Sequence, residues 1–76
     1  MRLIRVDMDA QEAIRIATVY SREHGRKTDD YDVLSIREAK GTVSILFQGK
    51  SGQPGDHFTV YVDASTAQAV KLVAGR

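Results

Sequence analysis

The 76-residue chain contains no cysteine and no tryptophan, only one proline, and few aromatics: two phenylalanines and three tyrosines. Without cysteine, no disulfide braces the fold and no thiolate metal site can form. No stretch approaches the roughly 20 apolar residues of a membrane-crossing helix. Charge of one sign is missing too, with 11 Lys and Arg against 10 Asp and Glu. Generic electrostatic attraction to nucleic acid or to an anionic membrane is therefore not favoured. The start, Met1-Arg2-Leu3-Ile4-Arg5-Val6-Asp7, lacks the apolar run of a signal peptide, so the expected location is the cytoplasm.

What remains is an ordinary globular composition, 42% hydrophobic, which argues against disorder. The length fits one domain spanning 1–76. A domain this small buries roughly 60–65% of its unfolded surface. One core must suffice, or a partner must complete it.

Leu3, Ile4 and Val6 form a short apolar lead-in, read as a candidate edge strand. Asp9 followed three residues later by Glu12 resembles a capping box. A helix is expected over about 9–24, with Gly25 in the left-handed position that ends it. Ala10, Ala13, Ile14, Ala17 and Tyr20 share one face of that helix, and Ile16 and Val19 widen it. So wide an apolar arc calls for more contact than one flat sheet provides.

From Tyr31 onward the period becomes two. Tyr31–Ile36 reads as a strand whose alternation slips between Val33 and Leu34, as at a bulge. Ala39-Lys40-Gly41-Thr42 reads as a hairpin turn. Val43, Ile45 and Phe47 alternate with Thr42, Ser44, Leu46 and Gln48. The stretch 49–56, with three glycines and the only proline, reads as a flexible connector. Phe58, Val60 and Val62 alternate with His57, Thr59, Tyr61 and Asp63, and a last strand is expected to turn Val70 and Leu72 inward with Lys71 and Val73 outward. The fold class is α+β: one amphipathic helix on an antiparallel meander of three to four strands.

Chemistry is harder to find. His24 and His57 lack the spacing of metal ligands and read as solvated. Asp29, Asp30 and Asp32 read as a solvated turn, short of a calcium loop. Gly49-Lys50-Ser51 ends like a phosphate-binding loop, but that motif needs glycine where Ser44 stands. No nucleophile elbow or base-and-orienter pair is present. The expectation is therefore no enzyme, no metal and no cofactor.

The more informative surface is the outer sheet face. A sheet covered by one helix leaves its other face open, and here that face carries Leu46, Tyr61 and Val73 among Gln48, Thr59, Thr42, Ser44 and Lys71. Leu46, Tyr61, Val73, Thr59 and Gln48 are the candidate protein-binding residues, with the 49–56 loop as an adaptable rim. Tyr61 with Lys71 alone is no base-stacking platform.

Phe58-Thr59-Val60-Tyr61-Val62-Asp63-Ala64-Ser65-Thr66, followed by Val70-Lys71-Leu72-Val73, resembles the ending of PepSY-type domains, as Asp9-Ala10-Gln11-Glu12-Ala13-Ile14-Arg15-Ile16-Ala17 resembles their helix. The layout is also similar to small bacterial immunity proteins of the nuclear-transport-factor-like class, with Glu-Ala-Ile-x-x-Ala, Pro54-Gly55 and an aromatic-led strand ending in Asp. Both resemblances imply a module that binds or inhibits another protein without chemistry. The chain departs from both at Ala67, where those families carry the turn glycine. Three readings follow: a non-enzymatic protein-binding module of inhibitor or immunity type; a homodimeric structural domain; and a small-ligand domain with a pocket between helix and sheet lined by Tyr20, Tyr31 and Phe47.

Overall fold

The computed structural model describes residues 9–51 and 56–75. The candidate edge strand at Leu3, Ile4 and Val6 and the centre of the 49–56 connector lie outside the described residues. Helix α1 runs Ala10–Glu23, a short 3-10 turn occupies Thr28–Asp30, and four strands follow: β1 (Tyr31–Ala39), β2 (Thr42–Gly49), β3 (His57–Asp63) and β4 (Gln68–Ala74). They form one antiparallel meander in the order β1-β2-β3-β4, with α1 across the face of β2, β3 and β4.

The helix ends as expected and begins differently. Gly25 takes φ +84°. The Gly25 N–H donates to the Arg22 carbonyl at 3.1 Å and the Arg26 N–H to the Ser21 carbonyl at 2.9 Å. That pair of bonds closes a Schellman motif and satisfies carbonyls the helix leaves open. At the other end Asp9 is the N-cap residue but its side chain makes no capping bond. The expected capping box does not form. Glu12 instead lies 3.7 Å from Arg15, one turn along, an exposed pair of small energetic value.

The two described hairpins use opposite strategies. Lys40 (φ 54°) and Gly41 (φ 80°) make a two-residue turn with both φ positive, the form whose twist matches the strands. Between β3 and β4, Ala67 is also left-handed, at φ 58°. The Asp63 carboxylate organises this turn. It accepts the Ser65 N–H at 2.9 Å and the Ser65 hydroxyl at 2.8 Å, and the Asp63 carbonyl accepts the Ala67 N–H at 2.8 Å. The turn that lacks the families' glycine thus forms anyway, with an alanine strained. Left-handed backbone costs an L-residue about 1–2 kcal/mol, partly offset by glycine's larger entropy when unfolded. Ala67→Gly should therefore stabilise the fold by about 1 kcal/mol, raising Tm by roughly 4–8 °C in a thermal melt.

The same bonds from Ser65 hold the Asp63 carboxyl below its ordinary range. A depressed carboxylate contributes stability that is present above its unfolded pKa and lost as pH falls through the folded value. Acid titration of stability should thus fall more steeply for the wild type than for Asp63→Asn in the region below the ordinary aspartate pKa. Superimposable acid limbs would show that the Ser65 bonds contribute nothing.

The core is Ala13 and Ala17 from α1, Val43, Ile45 and Phe47 from β2, and Phe58, Val60 and Val62 from β3. The inward set read from the alternation of β2 and β3 is therefore the set observed. Phe47 and Phe58, paired across the two strands, stack with ring centroids 4.8 Å apart. On the helix Ala10 and Val19 are exposed, while Ile16 and Tyr20 pack against the core. Ser21 is fully buried, its hydroxyl donating to the Ala17 carbonyl at 2.7 Å. That intrahelical bond lets a polar residue sit where the apolar pattern gave no sign of one.

Both edge strands carry a bulge. In β1 the register slips between Val33 and Ser35, where the sequence alternation breaks. In β4 it slips opposite Tyr61 and Val62, so that Ala69 faces Val62 and Leu72 faces Val60. Val70, expected inward, is instead 58% exposed. The extra residue is absorbed at Val70, and Ala69 takes its place against the core. Leu72 points inward as expected, and Lys71 and Val73 lie on the outer register.

Candidate binding face

The pairings arrange the outer face as transverse rows. One row reads Ser35, Leu46, Thr59, Val73 across β1 to β4. The next reads Arg37, Ser44, Tyr61, Lys71, and on the other side Asp32, Gln48 and His57 stand in line. All five residues picked from the sequence therefore share one surface. Leu46, Thr59 and Val73 are in one row, with Tyr61 and Gln48 in the rows beside it. Leu46, Thr59, Tyr61 and Gln48 are half-buried by their neighbours and Val73 is 46% exposed.

No described element covers this face. Its polar groups are only partly engaged. The Lys71 Nζ lies 5.1 Å from the centre of the Tyr61 ring, a cation–π approach in which the ring quadrupole attracts the ammonium. The Gln48 amide reaches the Asp56 carbonyl at 3.4 Å, tying the face to the start of β3. Bulge residues Leu34, 61% exposed, and Val70 add apolar surface to β1 and β4. The sequence pattern missed Val70 because it cannot tell which residue of a strand a bulge expels.

A second cluster was not legible from spacing. Tyr31 donates its hydroxyl to Asp56 at 2.8 Å, and Ser51 donates to the other carboxylate oxygen at 3.1 Å. Asp56 also accepts the Gly49 N–H on its backbone carbonyl at 2.8 Å. A Cβ at residue 49 would overlap the Asp56 carboxylate, so glycine permits this closure. The bond to Asp56, reinforced by burial and by the carboxylate's charge, raises the Tyr31 pKa above the usual phenol value, with Arg26 opposing. The Tyr31 ring meets Phe58 edge-on at 4.9 Å, and the Arg26 guanidinium lies 5.0 Å from the Phe58 ring centre. Tyr31 and Asp56 themselves stand 25 residues apart in the chain.

A cavity of about 440 Å³ opens beside this cluster, lined by Arg26, Lys27, Asp30, Tyr31, Lys50 and Asp56 among others. Of its lining, Asp56 is held by the Tyr31 and Ser51 hydroxyls, and Lys50 lies 3.8 Å from Asp32 outside the cavity. We read it as the clasp that fixes the ends of the 49–56 connector. Among the described residues, Tyr20, Tyr31 and Phe47, expected to line one pocket, stand in separate places. Tyr31 lines this cavity, Tyr20 lines a separate groove of about 240 Å³ with Ile16 and Val19, and Phe47 is buried in the core.

The His24 Nδ1–H donates to the Tyr20 carbonyl at 2.8 Å, and the imidazole lies against the Tyr20 ring with centroids 4.1 Å apart. His57 packs against Gly75, where a Cβ would overlap its ring. Among the described residues no three His, Asp or Glu side chains converge on a point that could hold a metal ion, and no helix is long and apolar enough to cross a membrane. Comparison with protein-family models, with curated proteins and with solved structures gives no match.

Proposed function

We propose that this chain is a non-enzymatic protein-binding module that works through the open face of its sheet. The observation that carries the reading is the outer row Ser35–Leu46–Thr59–Val73, with Tyr61 in the row beside it. Leu46, Val73 and Tyr61 stand among hydroxyl-bearing neighbours on a face that no described element covers, a mixed surface suited to protein contact. Tyr61 suits the centre of such a site, because tyrosine offers a large contact area with a polar tip and loses little entropy on binding. Asp56, at the described end of the connector, lies beside this face and is joined to it through Gln48. An inhibitor or immunity-type role, which the PepSY-like and immunity-like sequence features suggest, fits a small domain that presents one flat face.

Affinity capture with the immobilised chain from a native lysate tests this. At least one protein should be retained by the wild type and lost with Tyr61→Ala, while the thermal melts of the two remain alike. Failure to retain any protein, or equal retention by the variant, would contradict the reading.

A further inference from the structure

We infer that the occupant of the open face is a second copy of this chain, laid across it about a two-fold axis that runs along the Ser35–Leu46–Thr59–Val73 row. This deepens the reading of the sheet face as the binding surface and rests on it.

The charges on the face decide the orientation. Two sheets meeting face to face through a two-fold axis can be related in two simple ways. With the axis parallel to the strands, β1 of one copy lies over β4 of the other and each row lies over itself. Arg37 then meets Lys71, and symmetry repeats the clash. Such like-charge contacts are unfavourable once water is displaced. With the axis along the apolar row, each strand lies over its own counterpart and the flanking rows exchange. Arg37 of one copy then stands over Asp32 of the other, and symmetry supplies the second pair. Arg37 and Asp32 lie on β1 either side of the apolar row, in register with Ser44 and Gln48. Tyr61 comes over His57, and Lys71 lies over the end of β4 near Gly75.

The central row meets itself, so Leu46 and Val73 contact their own counterparts in an isologous seam. Asp32 already has Lys50 at 3.8 Å, with both side chains mostly exposed. Its second carboxylate oxygen is left for Arg37 of the other copy. Lys50 lies one row further out, so the exchange carries it toward the Thr42–Asp63 row of the other copy.

The dimensions fit a weak dimer. Four strands about 4.8 Å apart and four rows about 6.8 Å apart cover roughly 500 Å² per copy. Two such faces reach about 1,000 Å², the lower limit for a specific interface. Association is therefore expected at micromolar concentration and should weaken with salt, because ion pairs at a rim are screened.

Sedimentation equilibrium on the full chain tests this, comparing the wild type with Arg37→Asp, Asp32→Arg, the double exchange and Leu46→Asp. Circular dichroism melts would establish that each variant is folded. The wild type should be a reversible dimer. Each single charge variant should weaken it at least about tenfold, and the double exchange should restore it to within about threefold. A wild type that stays monomeric to millimolar concentration overturns this inference but leaves the sheet face available to a different partner. A dimer lost with Leu46→Asp yet indifferent to the charge exchange overturns the orientation and keeps the face. A dimer unaffected by any of these variants overturns the inference and removes its support for the face as well.

Discussion

Phe58→Ala should destabilise the domain by about 3–5 kcal/mol, the range for removing a buried phenyl ring. The value falls toward the top of that range here. Phe58 is fully buried, stacks on Phe47, receives the edge of Tyr31 and lies under Arg26. Its loss opens a cavity that β2 and β3 cannot close without breaking their register. A chain of this length has a total stability of only about 4–11 kcal/mol on the usual per-residue scale. The variant should therefore be substantially unfolded at 37 °C, and urea denaturation followed by circular dichroism would measure the loss. A cost below about 1 kcal/mol would mean that the aromatic stack does not hold helix, sheet and clasp together.

The second large effect is expected from a residue that is too small, not too large. Ala17 is fully buried where α1 lies on the sheet, and Ala13 is nearly so one turn earlier. Their small methyl groups let the helix backbone seat closely on the buried face of the sheet. Ala17→Leu barely changes helix propensity, so its effect reports packing alone. The added atoms have no cavity to enter and must push the helix away, at a cost of about 1–3 kcal/mol. The same change at Arg15, on the exposed side, serves as the control and should be nearly neutral. If Ala17→Leu melts like the wild type, the helix is not seated as closely as its burial implies.

These two residues also mark where the sequence was legible. Phe58 stands in a strict alternation, Phe58-Thr59-Val60-Tyr61-Val62, and such a pattern admits only one buried face. The inward set of β2 and β3 could therefore be read directly, as could the left-handed Gly25 and the slip near Leu34. Edge strands are covered on fewer sides, so burial constrains them less. There the pattern misassigned Val70, because Ala69 fills the core position and a bulge absorbs the difference. The helix gave a mixed result for a related reason. Its apolar arc was too wide to identify the buried stripe, and Ser21 was invisible within it because its hydroxyl is satisfied by its own helix. The Tyr31–Asp56 clasp was beyond reach from sequence. It joins side chains far apart in the chain, and it depends on the missing Cβ at Gly49.

The candidate face was legible for the opposite reason. Alternation that identifies the inner side of β2 and β3 identifies the outer side as well, so Leu46, Tyr61, Thr59 and Gln48 followed from the same pattern. What the pattern could not supply was the order across strands. The register puts Arg37 and Lys71 in one row and Asp32 in another, and this separation of charge gives the face its direction.

The proposed function places binding on the outer sheet face. Amide chemical-shift mapping tests it most directly, following the isotope-labelled chain as its own concentration rises from micromolar to millimolar, or as a captured partner is added. Shifts should concentrate on Leu46, Thr59, Tyr61 and Val73, with α1 unchanged. Shifts confined to Ile16, Val19 and Tyr20 on the helix, with the outer sheet face silent, would contradict it.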